Sequence, residues 1–173
     1  GTEDNSFTVV YTKNTTDKTV LDGLIIIGGC SNQGGASGNL RKSGGGMYND
    51  GSGKAGFTNL IIRNCTFQDN YGRDGGAVYN NGASGDSSPL FINCRFEKNR
   101  SDLDGGAVFN DGRLGGKSNP IFENCEFIEN EGNYGGAICN FGVEGISSPV
   151  FMGCYFLNNE AYLKGNHLFN ISF

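Results

Sequence analysis

Apolar residues in this chain fall in short bursts that alternate with polar ones, and the bursts recur. One recurring segment reads Ile61-Ile62-Arg63-Asn64-Cys65-Thr66-Phe67-Gln68-Asp69-Asn70. It returns at 90–99, 121–130 and 150–159, after a degenerate first copy at Val20-Leu21-Asp22-Gly23-Leu24-Ile25-Ile26. Aligned, Cys65, Cys94, Cys125 and Cys154 share one column, and Phe67, Phe96, Phe127 and Phe156 share another two residues on. Between them stand Thr66, Arg95, Glu126 and Tyr155, which have no chemistry in common. Fixed, free, fixed is the period-two mark of a strand with one buried face. The free column is therefore assigned to solvent and the fixed columns to a core.

A second unit follows each of these segments: Asp74-Gly75-Gly76-Ala77-Val78-Tyr79-Asn80, Asp104-Gly105-Gly106-Ala107-Val108-Phe109-Asn110 and Tyr134-Gly135-Gly136-Ala137-Ile138-Cys139-Asn140. Weaker copies lie at Gly44–Asn49 and Gly165–Asn170, so Asn49, Asn80, Asn110, Asn140 and Asn170 are 31, 30, 30 and 30 residues apart. A fixed period of this size means stacked structural units. Each unit is expected to hold three short strands: the aliphatic–aromatic pair (Leu90-Phe91), Cys94 to Phe96, and Ala107 to Phe109. Pro89, Pro120 and Pro149 open first strands, where a missing N–H is tolerated, and loops such as Asp111 to Asn119 return the chain. The predicted fold is all-β: a right-handed single-stranded parallel β-helix of five to six coils, about 30 residues each, in one domain over 1–173. Rungs ~4.8 Å apart would turn each column into a ladder.

Composition narrows the function. Thirty glycines point to many tight turns, while 13 Phe and 7 Tyr argue against disorder. A net charge of −5 disfavours nucleic acid as a partner, since phosphate binding needs a basic surface. No run approaches the ~20 apolar residues of a membrane span, and no signal peptide is recognisable, so the chain reads as a mature protein or an excised piece.

The paired motifs Phe-x-x-Asn (Phe67/Asn70, Phe96/Asn99, Phe127/Asn130, Phe156/Asn159) and Gly-Gly-Ala-Val/Ile resemble the repeats of chlamydial polymorphic outer membrane proteins. Thr19 to Gly29 is similar to the opening coil of many secreted bacterial β-helix proteins. The resemblance spans roughly residues 19 to 170. It implies a right-handed β-helix on the bacterial cell surface, associated with the outer membrane, in an adhesin or autotransporter passenger region. It also implies that the chain is a fragment of a larger surface or secreted protein. Neither a barrel nor a secretion segment is seen, so the route of export and the anchor stay open.

Several residues are candidates for chemistry. Tyr48, Tyr79, Phe109 and Phe169 form an aromatic column beside the aliphatic Met47, Val78, Val108, Ile138 and Leu168. With one column facing the core, the aliphatic one is assigned inward. The aromatics then form an exposed stripe for sugar rings or a protein; the alternative is that the return loops cover it. Asp74 and Asp104 stack on adjacent coils and are a candidate Ca²⁺ site through oxygen ligands or an acid/base pair on a glycan. Against this, Tyr134 takes their place one coil on, and surface turns are rich in Asp. No other cofactor is expected. The aligned cysteines read as a buried thiol ladder, because metal sites use closer spacing or a nearby His; Cys30 and Cys139 stand outside it, and whether they pair is left open. Asn64, Asn93 and Asn124 suit a left-handed bend, with Asn49 to Asn170 at another corner and amides bonding along each ladder. His167 reads as a surface or end-capping residue.

The reading that follows is a non-catalytic extracellular module for adhesion or surface architecture, binding a host or cell-surface glycan or protein. End-to-end self-association is a further expectation, since solenoid ends leave strands unpaired. The alternative is a polysaccharide lyase or hydrolase, which rests on fold analogy alone.

Overall fold

The computed structural model describes residues 7–31, 33, 36 and 38–172. Among them there is no helix; 21 short strands form four parallel sheets. The first sheet stacks Val20–Asp22, Ile61–Arg63, Leu90–Ile92, Ile121–Glu123 and Val150–Met152. The second stacks Ile25–Ile27, Thr66–Gln68, Arg95–Glu97, Glu126–Ile128 and Tyr155–Leu157. The third holds Cys30–Ser31, Tyr71–Asp74, Arg100–Asp104, Glu131–Tyr134 and Glu160–Lys164. The fourth begins a rung earlier, with Val10–Lys13, and continues through Met47–Asp50, Val78–Asn81, Val108–Asp111, Ile138–Phe141 and Leu168–Ile171. The chain is a parallel β-solenoid of five rungs, six on the fourth sheet, with four full turns between Val20 and Val150.

Each coil thus has four strands, not the three expected. The extra one is the third-sheet strand, whose inward positions are small or polar: Ser31, Gly72, Ser101 and Gly132 are all buried. No hydrophobic alternation marks such a strand, and its register shifts near Asp104. The fourth-sheet strands also extend past the expected end, to Asp111 in the Val108 copy.

Three corners turn the chain, and each needs a left-handed residue. The first holds Asn64, Asn93 and Asn124, with φ of 53°, 51° and 51°, a region Asn tolerates better than most residues. Gly23 and Gly153 fill the same corner in the outer coils. The second holds Asp69, Lys98, Glu129 and Asn158 at φ of 50–53°. The third is the Gly-Gly unit. A Cβ on Gly105 would lie 2.1 Å from the carbonyl oxygen of Val108, and one on Gly106 would lie 2.0 Å from that of Gly136 in the next coil. The first glycine makes the turn; the second lets adjacent coils touch through backbone.

The interior is a set of ladders. Phe67, Phe96, Phe127 and Phe156 stack with ring centroids 5.0, 4.7 and 4.8 Å apart. Phe91, Phe122 and Phe151 stack at 4.9 and 5.3 Å and meet the first ladder edge to face. Offset stacks and T-shaped contacts each add to the gain from burial. Met47, Val78, Val108 and Ile138 complete this core from the fourth sheet. As expected, Thr66, Arg95, Glu126 and Tyr155 face outward between Cys and Phe columns that are buried up to the last coil, where Cys154 and Phe156 are half-buried.

Candidate functional site

The aromatic column is not an exposed stripe. Tyr48, Tyr79 and Phe109 are 3%, 0% and 2% exposed and form a second core with Cys139, against which Phe141, Phe169 and Ile171 pack. The physical reason is that this parallel sheet is covered on both sides, so both alternating columns are buried. The cover is the chain itself. Tyr48 donates to the carbonyl of Gly38 at 2.6 Å and accepts from Asn81 at 2.7 Å. Tyr79 donates to Asp111 at 2.6 Å, and the Arg113 guanidinium, bonded to the same carboxylate, donates to the Tyr79 hydroxyl at 3.2 Å. Arg113 also lies over the Phe141 ring at 5.3 Å. Burial pushes both phenols well above their ordinary pKa. These three rings are walls of a core and offer no face to a ligand.

Asp74 and Asp104 are brought together, as expected: they are direct register partners on adjacent rungs of the third sheet. Asp74 is 1% exposed, accepts a long 3.4 Å bond from Ser43, and lies 3.7 Å from the Arg73 guanidinium. Asp104 is half-buried. Burial first, and then the neighbouring Asp74 charge, raise its pKa to about 6, with Arg73 opposing. Tyr134 continues the column. Among the described residues no group of three or more His, Cys, Asp or Glu could hold a metal ion.

All six cysteines are free, so Cys30 and Cys139 are not paired. The ladder thiols act as buried donors to backbone carbonyls, Cys94 to Ile62 at 3.5 Å and Cys125 to Phe91 at 3.6 Å, each one coil back. The Cys125 thiol beside it, and then burial, hold Cys94 up to about pKa 12, far from a reactive thiolate.

Two amide ladders run the length of the solenoid, buried except at Asn170. Asn49, Asn80, Asn110, Asn140 and Asn170 sit inside fourth-sheet strands rather than at a corner. Each Nδ2 donates to the next Oδ1 at 2.7, 2.8, 2.7 and 2.7 Å. Thr12 starts this ladder by donating to Asn49 at 2.6 Å. The second ladder, Asn70, Asn99, Asn130 and Asn159, lies at the corner after each Phe, with steps of 3.0, 3.0 and 2.8 Å. Its buried role is not among the sequence expectations, which name these residues only as part of the Phe-x-x-Asn motif; the signal is the asparagine that closes every copy. The expected bonding along Asn64 and Asn93 is a single exposed contact of 3.4 Å.

What remains available to a ligand is the outer surface. On the second sheet Arg95 pairs with Glu97 and Glu126. Beside it, along the corner to the third sheet, runs an open groove of about 440 Å³ lined by Lys98, Asn99, Arg100, Glu129, Glu131, Asn158 and Glu160. Tyr162 reaches Glu131 at 3.1 Å at its end. No helix among the described residues is long and apolar enough to cross a membrane.

Residues 64–81 match the Chlamydia polymorphic membrane protein (Chlamydia_PMP) repeat. That span is one rung from its asparagine corner to the end of its fourth-sheet strand, and it holds the Cys-x-Phe, Phe-x-x-Asn and Gly-Gly-Ala features together. No curated protein and no solved structure matches the chain. The matched model describes a repeat of a chlamydial membrane protein family and covers one rung of this chain; together with the solenoid, the match fits a surface-associated β-helix protein.

Proposed function

We propose that this chain is a non-catalytic recognition module displayed outside a bacterial cell, presenting its outer columns to a glycan or protein of a host or neighbouring cell. The observation that carries this reading is the contrast within one strand. Inward positions repeat one chemistry from rung to rung, while the outward positions Thr66, Arg95, Glu126 and Tyr155 change at every rung. A rigid ladder with free outer columns, ~4.8 Å apart, suits the display of a specific surface. The groove beside it adds both signs of charge and the exposed Asn158 amide within reach of sugar hydroxyls. The repeat match supports a place at the cell surface.

The test is binding of the purified chain to a glycan array and to host-cell proteins, with and without Ca²⁺, with products followed by mass. Binding without turnover, weakened by Arg100→Ala or Tyr155→Ala, is expected. Cleaved sugars would overturn the non-catalytic reading and turn attention to Asp74 and Asp104.

A further inference from the structure

Two charged columns wall the groove beside the second sheet. One is the left-handed corner, where Lys98, Glu129 and Asn158 stack at φ of 53°, 53° and 51°. The other is the outward edge of the third sheet, where Arg100, Glu131 and Glu160 are register partners. Between the walls lies the buried Asn99, its amide engaged along the ladder. The walls carry the same charge at each coil. Lys98 and Arg100 flank the groove in the coil that starts at Leu90, and Glu129 and Glu131 flank it in the next. Two cations thus stand one rung, ~4.8 Å, from two carboxylates.

These charges do not neutralise one another. On the second sheet the same step from basic to acidic is closed by the ion pair of Arg95 with Glu126. In the groove Lys98 and Glu129 are 3.8 Å apart, beyond hydrogen-bond distance, and both are half exposed. Among the described residues the Arg100 guanidinium has no ion pair and no hydrogen bond, although Glu131 is its partner in register. Glu131 accepts from the Tyr162 hydroxyl at Oε2, which leaves its other oxygen open.

We infer that this groove binds a zwitterionic group whose acidic part and primary ammonium are about one rung apart. The acidic part lies between Lys98 and Arg100, and the ammonium between Glu129 and Glu131. A simple anion at the two cations is one rung from two carboxylates, and a simple cation meets the reverse, so each is attracted by one pair and repelled by the other. A zwitterion satisfies both pairs. A guanidinium fork and an ammonium suit a phosphate or a carboxylate. The two glutamates accept hydrogen bonds, so an ammonium with N–H donors fits them better than a quaternary amine, which has none. No aromatic ring is among the lining residues to hold a quaternary amine. Direction is set as well. On the other side of Lys98 and Arg100 the preceding coil offers Asp69 and Tyr71, one carboxylate in place of two, so the ammonium lies toward Glu129 and Glu131. A phosphate and an ammonium joined by a two-carbon bridge span one rung, which makes phosphoethanolamine the fitting probe. The inference rests on the reading of the outer columns as the recognition surface and names the ligand chemistry of one part of it.

The experiment is a titration of the isotope-labelled whole chain with phosphoethanolamine, followed by amide NMR, beside phosphocholine, ethanolamine and inorganic phosphate. Phosphoethanolamine should shift the amides of 98–100 and 129–131 and bind about tenfold more tightly than each of the other three. Arg100→Ala and Glu131→Gln, each shown to be folded by circular dichroism, should weaken it about tenfold, while Thr66→Ala on the second sheet leaves it unchanged. Added salt should weaken it too. Two further arms locate the source. Co-sedimentation with vesicles of phosphatidylethanolamine and phosphatidylcholine, against phosphatidylcholine alone, reads a lipid headgroup; array glycans bearing phosphoethanolamine read a sugar-borne group. Binding in either arm that is lost in both variants supports the inference. Equal affinity for phosphate and phosphoethanolamine, no shift in the groove amides, or full affinity in both variants would overturn it. Array binding that survives such a result and falls with Tyr155→Ala would keep the recognition reading and remove only this ligand from it.

Discussion

Asparagine occupies two columns of this solenoid, and replacing it by glycine in each should have very different consequences. Asn99 is fully buried. Its Oδ1 accepts from the backbone N–H of Asn70 at 3.1 Å and from the Asn70 Nδ2 at 3.0 Å. Its Nδ2 donates to the Phe67 carbonyl at 2.9 Å and to Asn130 Oδ1 at 3.0 Å. Asn99→Gly strips partners from the Asn70 N–H and the Phe67 carbonyl, both inside the wall. Orphaning a buried polar group costs about 1–3 kcal/mol, so the two together give a loss of about 2–6 kcal/mol. Asn93, six residues earlier, is exposed, stands at φ 51° and makes one 3.4 Å side-chain bond. Glycine accepts that backbone without strain, and Gly23 and Gly153 already stand in its column. Asn93→Gly should therefore change stability by no more than about 0.5 kcal/mol. Urea denaturation followed by far-ultraviolet circular dichroism measures both, and the chemical change is identical. Equal losses would refute the assignment of one column to the wall and the other to a solvated bend.

Other outcomes follow from the same columns. Phe127→Ala removes a fully buried ring stacked between Phe96 and Phe156 and should cost about 3–5 kcal/mol; Arg95→Ala, which loses only surface ion pairs, should cost less than about 1 kcal/mol, both read from urea midpoints. The raised pKa of Asp104 means the folded chain takes up a proton there before the unfolded chain does as pH falls. Its charged form is thus destabilising above pH about 6, and stability should rise as pH falls from about 6 to 4. Asp104→Asn should raise stability at neutral pH by about 1–2 kcal/mol, allowing for solvent screening of a half-buried group, with the gain fading towards pH 4 in thermal melts. A thiol reagent should label Cys154, which is half-buried, well before Cys65, Cys94, Cys125 and Cys139; uniform labelling of the folded chain would contradict the ladder.

The parts legible in the sequence are those where one residue type recurs in register. The Cys-x-Phe columns mark an inward face because only a buried position demands the same side chain in every coil, and Thr66, Arg95, Glu126 and Tyr155 mark solvent because nothing constrains them. The third-sheet strand is illegible for the opposite reason: Gly72, Ser101 and Gly132 are inward because the Gly-Gly corner leaves no room, so burial there selects smallness rather than hydrophobicity. The second left-handed corner is hidden because Asp69, Lys98, Glu129 and Asn158 mix acids, a base and an amide, though all adopt one conformation. The candidate site suffers most. Tyr48, Tyr79 and Phe109 alternate with an aliphatic column, and alternation separates two sides of a strand without saying which side is covered. The cover comes from Asn81 and Asp111, which share a column with Asp50 at the end of the fourth-sheet strands but differ in type, and from Gly38 and Arg113, which lie outside the strands.

The central claim is that recognition belongs to the outer columns and that the aromatic column is shut inside the fold. Tyrosine nitration of the folded chain, with sites assigned by mass spectrometry, tests this directly. Tyr155 and Tyr162, 54% and 55% exposed, should be modified first, with Tyr48 and Tyr79 protected until the chain unfolds. Modification of Tyr79 at the rate of Tyr155 in folded protein would contradict the account and reopen the aromatic column as a binding face.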